Sequence, residues 1–201
     1  MSYSQRDEES VILGKLWNAY RPGVFLDIGA FDGHLFSNTL ALVERGWSGV
    51  LVEPSIKGFD GLLKLHGTNE RLKLVQGLVG LETKLTPFWN SDDAVSTTEA
   101  RHRVSWEPHS TFRPPCYVPQ ITVRTLLSTF PFLANLDFLS IDTEGTSAKL
   151  FLEFPFGLCR AKLVCVEHDN QRKEIENHAD ALGYRLIHTT EENLIFSYHG
   201  H

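Results

Sequence analysis

The sequence predicts an α/β fold built on a doubly wound, seven-stranded sheet, mostly parallel and closed by an antiparallel hairpin. Three observations carry this. Short runs of consecutive apolar residues, such as VFLDI (24–28), GVLVEP (49–54) and LDFLSID (136–142), have the pattern of strands covered on both faces. Segments of helical periodicity alternate with these runs. The last two runs, YRLIHTT (184–190) and NLIFSY (193–198), are separated only by Glu191 and Glu192, a gap that suits a hairpin and not a crossover.

The elements follow in order. Residues 8–20 place Val11, Ile12, Leu16, Trp17 and Tyr20 at helical spacing and stop at Arg21-Pro22-Gly23. After the strand at 24–28, Leu35, Phe36, Leu40, Leu42 and Val43 predict a helix over 35–45 that ends at Gly46. The strand at 49–54 leads into a helix over 55–66, with Ser55 as its N-cap, and LKLVQGLV (72–79) is a third strand. Residues 80–118 break the rhythm. ETKLTPFW suits a small strand, but the remainder has no sustained period, so an irregular insertion or lid is expected. VPQITVRTLLSTF (118–130) reads as a short strand running into a short helix. Strands at 136–142 and 161–168 flank a helix near 146–153, and QRKEIENHADALG (171–183) is an amphipathic helix ending in glycine. Repeated strand–helix units of this kind imply right-handed parallel crossovers.

Length and composition set bounds on function. A chain of 201 residues is expected to form one domain over 1–201. With 42% hydrophobic and 22% charged residues it has the balance of a globular protein, not a disordered one. No apolar run approaches the ~20 residues that cross a bilayer. The opening MSYSQRDEES lacks a basic-then-apolar leader, so a cytoplasmic protein is expected. Cys116, Cys159 and Cys165 are scattered with no C-x-x-C pair, which suits reduced structural thiols and neither a disulfide framework nor zinc. A net charge of −6 without a Lys/Arg block argues against a nucleic-acid backbone as the main partner.

In a doubly wound sheet, ligands sit beyond the carboxyl ends of the strands, and FLDIGAFDGHLFSNTL (25–40) places its glycines there. Gly29 lets the chain leave the strand and lets a ligand approach the backbone. Gly33 is expected to open the following helix, whose free N–H groups favour a carboxylate or other anion. Glu53, at the end of the second strand, is placed to accept hydrogen bonds from ribose hydroxyls. A dinucleotide site calls for G-x-G-x-x-G, but Phe31 stands where the second glycine belongs and would obstruct a pyrophosphate. Asp27 and Asp32 add negative charge that repels phosphate and attracts an amine or sulfonium. The residues therefore favour S-adenosylmethionine over NAD.

FLDIGAFDGHLFSNTL, GWSGVLVEPS, LDFLSIDTEG and LVCVEHDN, in this order, resemble the FkbM-type methyltransferases over about residues 20–198. The resemblance implies a Rossmann-like class I methyltransferase fold and S-adenosylmethionine-dependent methylation of a hydroxyl oxygen on a small molecule, sugar or lipid. Carried over, it implies a cofactor loop of Asp27, Gly29, Ala30, Phe31, Asp32 and Gly33, a polar pair at Ser37 and Asn38, and a ribose site at Glu53, Pro54 and Ser55. Asp142 and Glu144 match a D-x-E-G motif, and Glu167 and His168 an E-H motif. By topology, the adenine lies near Gln76, Gly77 and Leu78, and Asp142 also faces the cofactor. One departure is that family members often have another acid soon after D-x-E-G, where this chain reads Thr146-Ser147-Ala148-Lys149.

A hydroxyl acceptor must lose its proton. His168 is the expected base, oriented by a neighbouring acid, with Asp142, Glu144 and Glu167 as the catalytic carboxylates. The competing reading is a histidine that merely satisfies carbonyls. A second mechanism uses Asp142, Asp169 and Asn170 as ligands for Mg2+ or Mn2+, against the alternative that Asp169 and Asn170 cap the helix beginning at Gln171. The remaining histidines, His102 among them, show no ligand spacing and read as surface residues. Residues 80–118 are expected to help bind the acceptor. A silent cofactor-binding partner module and an NAD-linked enzyme stay open as alternatives, as does an oligomer.

Overall fold

The structure is a computed structural model that describes residues 3–16 and 22–200. Its first half runs α1 (Glu8–Leu16), β1 (Val24–Ile28), α2 (Leu40–Glu44), β2 (Ser48–Glu53), α3 (Ile56–His66) and β3 (Leu72–Gln76). The middle holds β4 (Leu78–Gly80), β5 (Lys84–Phe88), α4 (Ala100–Trp106), β6 (Cys116–Thr122) and α5 (Val123–Thr129). The last part is β7 (Phe138–Ile141), α6 (Ser147–Leu152), β8 (Leu163–Glu167), α7 (Arg172–Ala181), β9 (Tyr184–Thr189) and β10 (Asn193–Tyr198). Trp17 and Tyr20 of the expected first helix lie outside the described residues.

The main sheet has the order β3-β2-β1-β7-β8-β10-β9. The five strands from β3 to β8 are parallel, with Leu26 between Val50 and Leu139. The closing hairpin joins antiparallel, with Ile195 opposite Cys165. Both faces are covered. Leu26, Ile28, Val52, Ile141 and Val166 pack with Phe151 and Phe196 on one side, while Phe25, Leu51, Phe138 and Cys165 pack with Ile12, Leu42, Trp47 and Leu62 on the other. This is why the parallel strands read as unbroken apolar runs. Strand alternation leaves Asp27 on the second face, level with Leu51 and Ser140.

Three expectations need correction. The helix expected over 35–45 shrinks to α2, because Phe31 (φ 47°), Gly33 (φ 73°) and Phe36 (φ 57°) are left-handed. Asp32 Oδ1 accepts from the His34 and Leu35 amides, and Ser37 Oγ from the Leu40 amide, so a compact turn replaces the helical start. The third strand divides at Gly77, with β3 in the main sheet and β4 paired to β6 in another. Residues 80–118 are only partly irregular, since β4, β6 and β5 form a three-stranded sheet and a Trp89–Thr97 bridge precedes α4.

Candidate active site

The chain leaves β1 toward β2 on one side and meets β7 on the other, so a crevice opens beyond Ile28 where the strand order reverses. Gly29 sits at its floor with φ 90°, and a Cβ there would lie 1.6 Å from the Asp142 carbonyl oxygen. Gly29 and Ala30 donate their amides to Val52 O, at 2.9 and 3.1 Å. Only glycine allows this close crossing of the β1 and β7 exits.

Two carboxyl groups frame the floor. Glu53, at the end of β2, accepts from the Phe31 amide (3.0 Å) and the Ser55 amide (2.8 Å), which joins the first turn to the start of α3. Burial pushes its pKa up to about 7 despite the hydrogen bonds from Ser55 and Phe31. Asp27, also buried, accepts from Thr39 Oγ1 at 2.6 Å, and burial raises it to about 6 against the pull of Thr39 and Ser140. Each carboxylate oxygen keeps acceptor capacity beyond these bonds. Asn38 is buried below, donating to Ser140 Oγ at 3.4 Å.

The ends of β7 and β8 add further acids. Burial, and then the charge of Glu144, hold Asp142 well above the usual carboxylate range. Glu167 is raised likewise by burial and by Asp142, while Ser147 Oγ donates to its Oε2 at 2.8 Å. Asp169 Oδ1 and Oδ2 accept from the amides of Gly145 (3.0 Å) and Ala148 (2.9 Å). The carboxylate missing from the chain after Gly145 thus reaches that turn from beyond β8.

Asp27, Asn38, Glu53, Asp142, Glu144 and Glu167 line one cavity of about 710 Å³, and Asp169 lies outside its lining. Its outer wall is the inserted sheet, which turns Lys84, Thr86, Phe88 and Gln120 inward, while Leu85 and Tyr117 face outward and are exposed. Helix α4 contributes His102 and Trp106. His102 Nε2 lies 2.9 Å from Glu144 Oε2. The sequence offered no signal for His102, because α4 buries none of its residues and so carries no periodicity.

Most of the expected cofactor residues line this cavity: Asp27, Gly29, Ala30 and Phe31 in the first turn, Ser37 and Asn38 after it, Glu53 and Pro54, then Gly77, Leu78 and Asp142. Asp32, Gly33, Ser55 and Gln76 are not among its lining residues. Asp32 ties the turn, Ser55 caps α3 by accepting from the Gly58 amide, and Gln76 is exposed. Gly33 stands within the turn, far short of the first residue of α2, so it opens no helix N-terminus.

Of the expected catalytic residues, Asp142, Glu144 and Glu167 line the cavity and His168 does not. Both ring nitrogens of His168 are taken, Nε2 by Glu191 O (2.9 Å) and Nδ1 by the Asn170 amide (3.1 Å). It is the histidine that satisfies backbone groups. Asp142, Asp169 and Asn170 do not fit a divalent cation. Both Asp169 oxygens serve the start of α6, and Asn170 is exposed. Asp169 also does not cap α7, which lacks a side-chain cap at Gln171. Among the described residues, no group of three or more His, Cys, Asp or Glu side chains is arranged to hold a metal ion, and no helix is long and apolar enough to cross a membrane.

The family model described as "Methyltransferase FkbM domain" matches residues 27–187. No curated protein matches. Among solved structures, a Staphylococcus aureus protein provisionally described as a caffeoyl-CoA O-methyltransferase superposes with TM-score 0.52 at 13% identity, covering 99% of this chain and 86% of that one. The MTase domain of METTL16 gives TM-score 0.53 at 10% identity, over 94% and 65% of the two chains. A Pyrococcus horikoshii protein provisionally described as an RNA methyltransferase gives 0.50 at 15% identity, over 95% and 80%. At these identities the likeness is one of fold.

Proposed function

The chain belongs to the FkbM methyltransferase family, and from that premise we propose that it methylates a hydroxyl oxygen of a small molecule, sugar or lipid. It is a methyltransferase dependent on S-adenosylmethionine, which supplies an electrophilic methyl group on a sulfonium sulfur. The residues fit that cofactor. The Gly29 floor gives close backbone access, and Glu53 keeps lone pairs for ribose hydroxyls beyond its two amide bonds. Asp27 and Asp142 line the cavity, and an ammonium or sulfonium there would favour their ionised forms against the burial that raises them.

The charge of the cavity wall carries the acceptor assignment. Besides the strand-end acids, Glu82, Asp93, Glu99 and Glu192 line it, set against only Lys84 and Lys149, with no arginine among the described lining residues. A phosphate-bearing backbone would meet repulsion there, whereas a neutral hydroxylated molecule would not.

The test has two stages. Calorimetric titration should give micromolar binding of S-adenosylmethionine and S-adenosylhomocysteine and none of NAD. Tritiated methyl transfer is then measured to phenols, methyl glycosides, hydroxylated lipids and an RNA transcript. Label on a hydroxyl compound supports the proposal, and label on RNA alone overturns it. Binding without transfer to any acceptor favours the silent module.

A further inference from the structure

The structure holds a second pair of groups with base chemistry, and its interpretation rests on the methyltransferase reading of the same cavity. We propose that His102, carried on the inserted helix α4 and aimed by Glu144, is the general base that takes the acceptor's hydroxyl proton.

His102 and Glu144 both line the cavity, with side chains only 17% and 21% exposed. A carboxylate 2.9 Å from Nε2 favours the tautomer with its proton on Nε2, which leaves the lone pair on Nδ1. Nδ1 makes no hydrogen bond among the described residues. The Nε2 contact is close but does not meet hydrogen-bond geometry, as is common for catalytic pairs that tighten only around substrate.

The backbone supports the same reading independently. Glu144 has φ 52° and Gly145 φ 101°, so a non-glycine residue is held in the left-handed region. Two hydrogen bonds keep it there. Thr97 Oγ1 donates to Glu144 O at 2.6 Å, and the Gly145 amide donates to Asp169 Oδ1 at 3.0 Å. Helix α4 packs so tightly on this turn that a Cβ on Gly145 would lie 3.2 Å from His102 Cβ. The Arg103 guanidinium lies over the Trp89 ring at 5.7 Å, a further contact between α4 and the rest of the insertion. The insertion and the D-x-E-G turn are thus braced where the two side chains meet.

Glu167 is already bonded to Ser147 Oγ, and of the two histidines that line the cavity, His102 and His109, His102 is the one with a carboxylate against its ring. As the acceptor oxygen bonds to the methyl carbon, the carbon–sulfur bond breaks and its electron pair stays on sulfur. The hydroxyl proton passes to Nδ1, and the Glu144 carboxylate stabilises the imidazolium. The products are a methyl ether, S-adenosylhomocysteine and a proton later lost to solvent.

Ring-nitrogen NMR of the full chain identifies the His102 tautomer, assigned by its loss in His102→Gln. The expected result is a proton on Nε2 in wild type and a mixed tautomer in Glu144→Gln. With the first hydroxyl compound that wild type methylates, His102→Gln should lower kcat at least about 100-fold and leave S-adenosylhomocysteine affinity within threefold. A proton on Nδ1 in wild type, an unchanged tautomer in Glu144→Gln, or near-normal kcat in His102→Gln overturns the proposal. If no compound is methylated, the tautomer decides alone. Failure of S-adenosylhomocysteine to bind wild type would instead defeat the cofactor reading and leave the imidazole–carboxylate pair standing.

Discussion

Replacing Glu53 with glutamine should flatten the pH dependence of stability. Burial raises this carboxyl from 4.5 to about 7, so the native state keeps a proton that the unfolded chain has already released. Its contribution is fully present below the unfolded pKa and is lost as pH rises through the native one. Integrating between those two values, wild type should lose about 2.5 kcal/mol between pH 5 and pH 8 through this group alone. Glu53→Gln has no proton to release. It does lose one acceptor, because only one of the Phe31 and Ser55 amides can face the new carbonyl, at a cost of about 1–3 kcal/mol at every pH.

Urea unfolding at pH 5, 6, 7 and 8 should therefore give curves that converge toward pH 8. Wild-type and variant curves that stay parallel within about 0.5 kcal/mol would refute the burial argument. Cofactor binding should report the same group. Ribose hydroxyls favour the ionised carboxylate, so S-adenosylhomocysteine should bind wild type more tightly from pH 6 to pH 8. Glu53→Gln should bind about tenfold to a hundredfold more weakly at pH 8, the loss of a charge-assisted hydrogen bond.

Other substitutions separate the remaining roles. Gly29→Ala places a Cβ against the Asp142 carbonyl at φ 90° and should cost more than about 4 kcal/mol in urea unfolding, with loss of S-adenosylhomocysteine binding by calorimetry. Asp169→Ala frees the Gly145 and Ala148 amides, and thermal melting should show a loss of about 2 kcal/mol. Chelation with EDTA should leave both the melting temperature and S-adenosylhomocysteine affinity of wild type unchanged. His168→Ala should cost about 1 kcal/mol and leave kcat within threefold, since its ring faces Glu191 and Asn170 and not the cavity.

The parts of the fold legible in the sequence are those in which one residue's burial follows from its neighbours'. β1, β2, β7 and β8 are covered on both faces, so their apolar runs are continuous and each ends where an acid meets the crevice. Asp27, Glu53, Asp142 and Glu167 were readable for that reason. The turn after Gly29 was not. Leu35, Phe36 and Leu40 have helical spacing, but Phe31 and Phe36 adopt left-handed backbone, a choice held by Asp32 and Ser37 bonds that no periodicity records.

The same distinction explains why His168 stands out in the sequence and His102 does not. His168 follows a strand-end acid in sequence, and proximity along the chain made it the natural base. Yet the His168 amide donates to Glu192 O (2.9 Å) and its ring Nε2 lies 2.9 Å from Glu191 O, which ties the residue to the β9–β10 hairpin, before the chain turns through left-handed Asp169 (φ 46°) and Asn170 (φ 61°). His102 lies far from Glu144 in sequence, on a helix with no buried face. Its position depends on Thr97 bonding to Glu144 O and on Arg103 stacking over Trp89, contacts that exist only after the insertion has folded against the main sheet. A polar residue placed by such long-range contacts leaves no local pattern, so the strand ends that frame the cavity floor can be read from sequence while its inserted wall cannot.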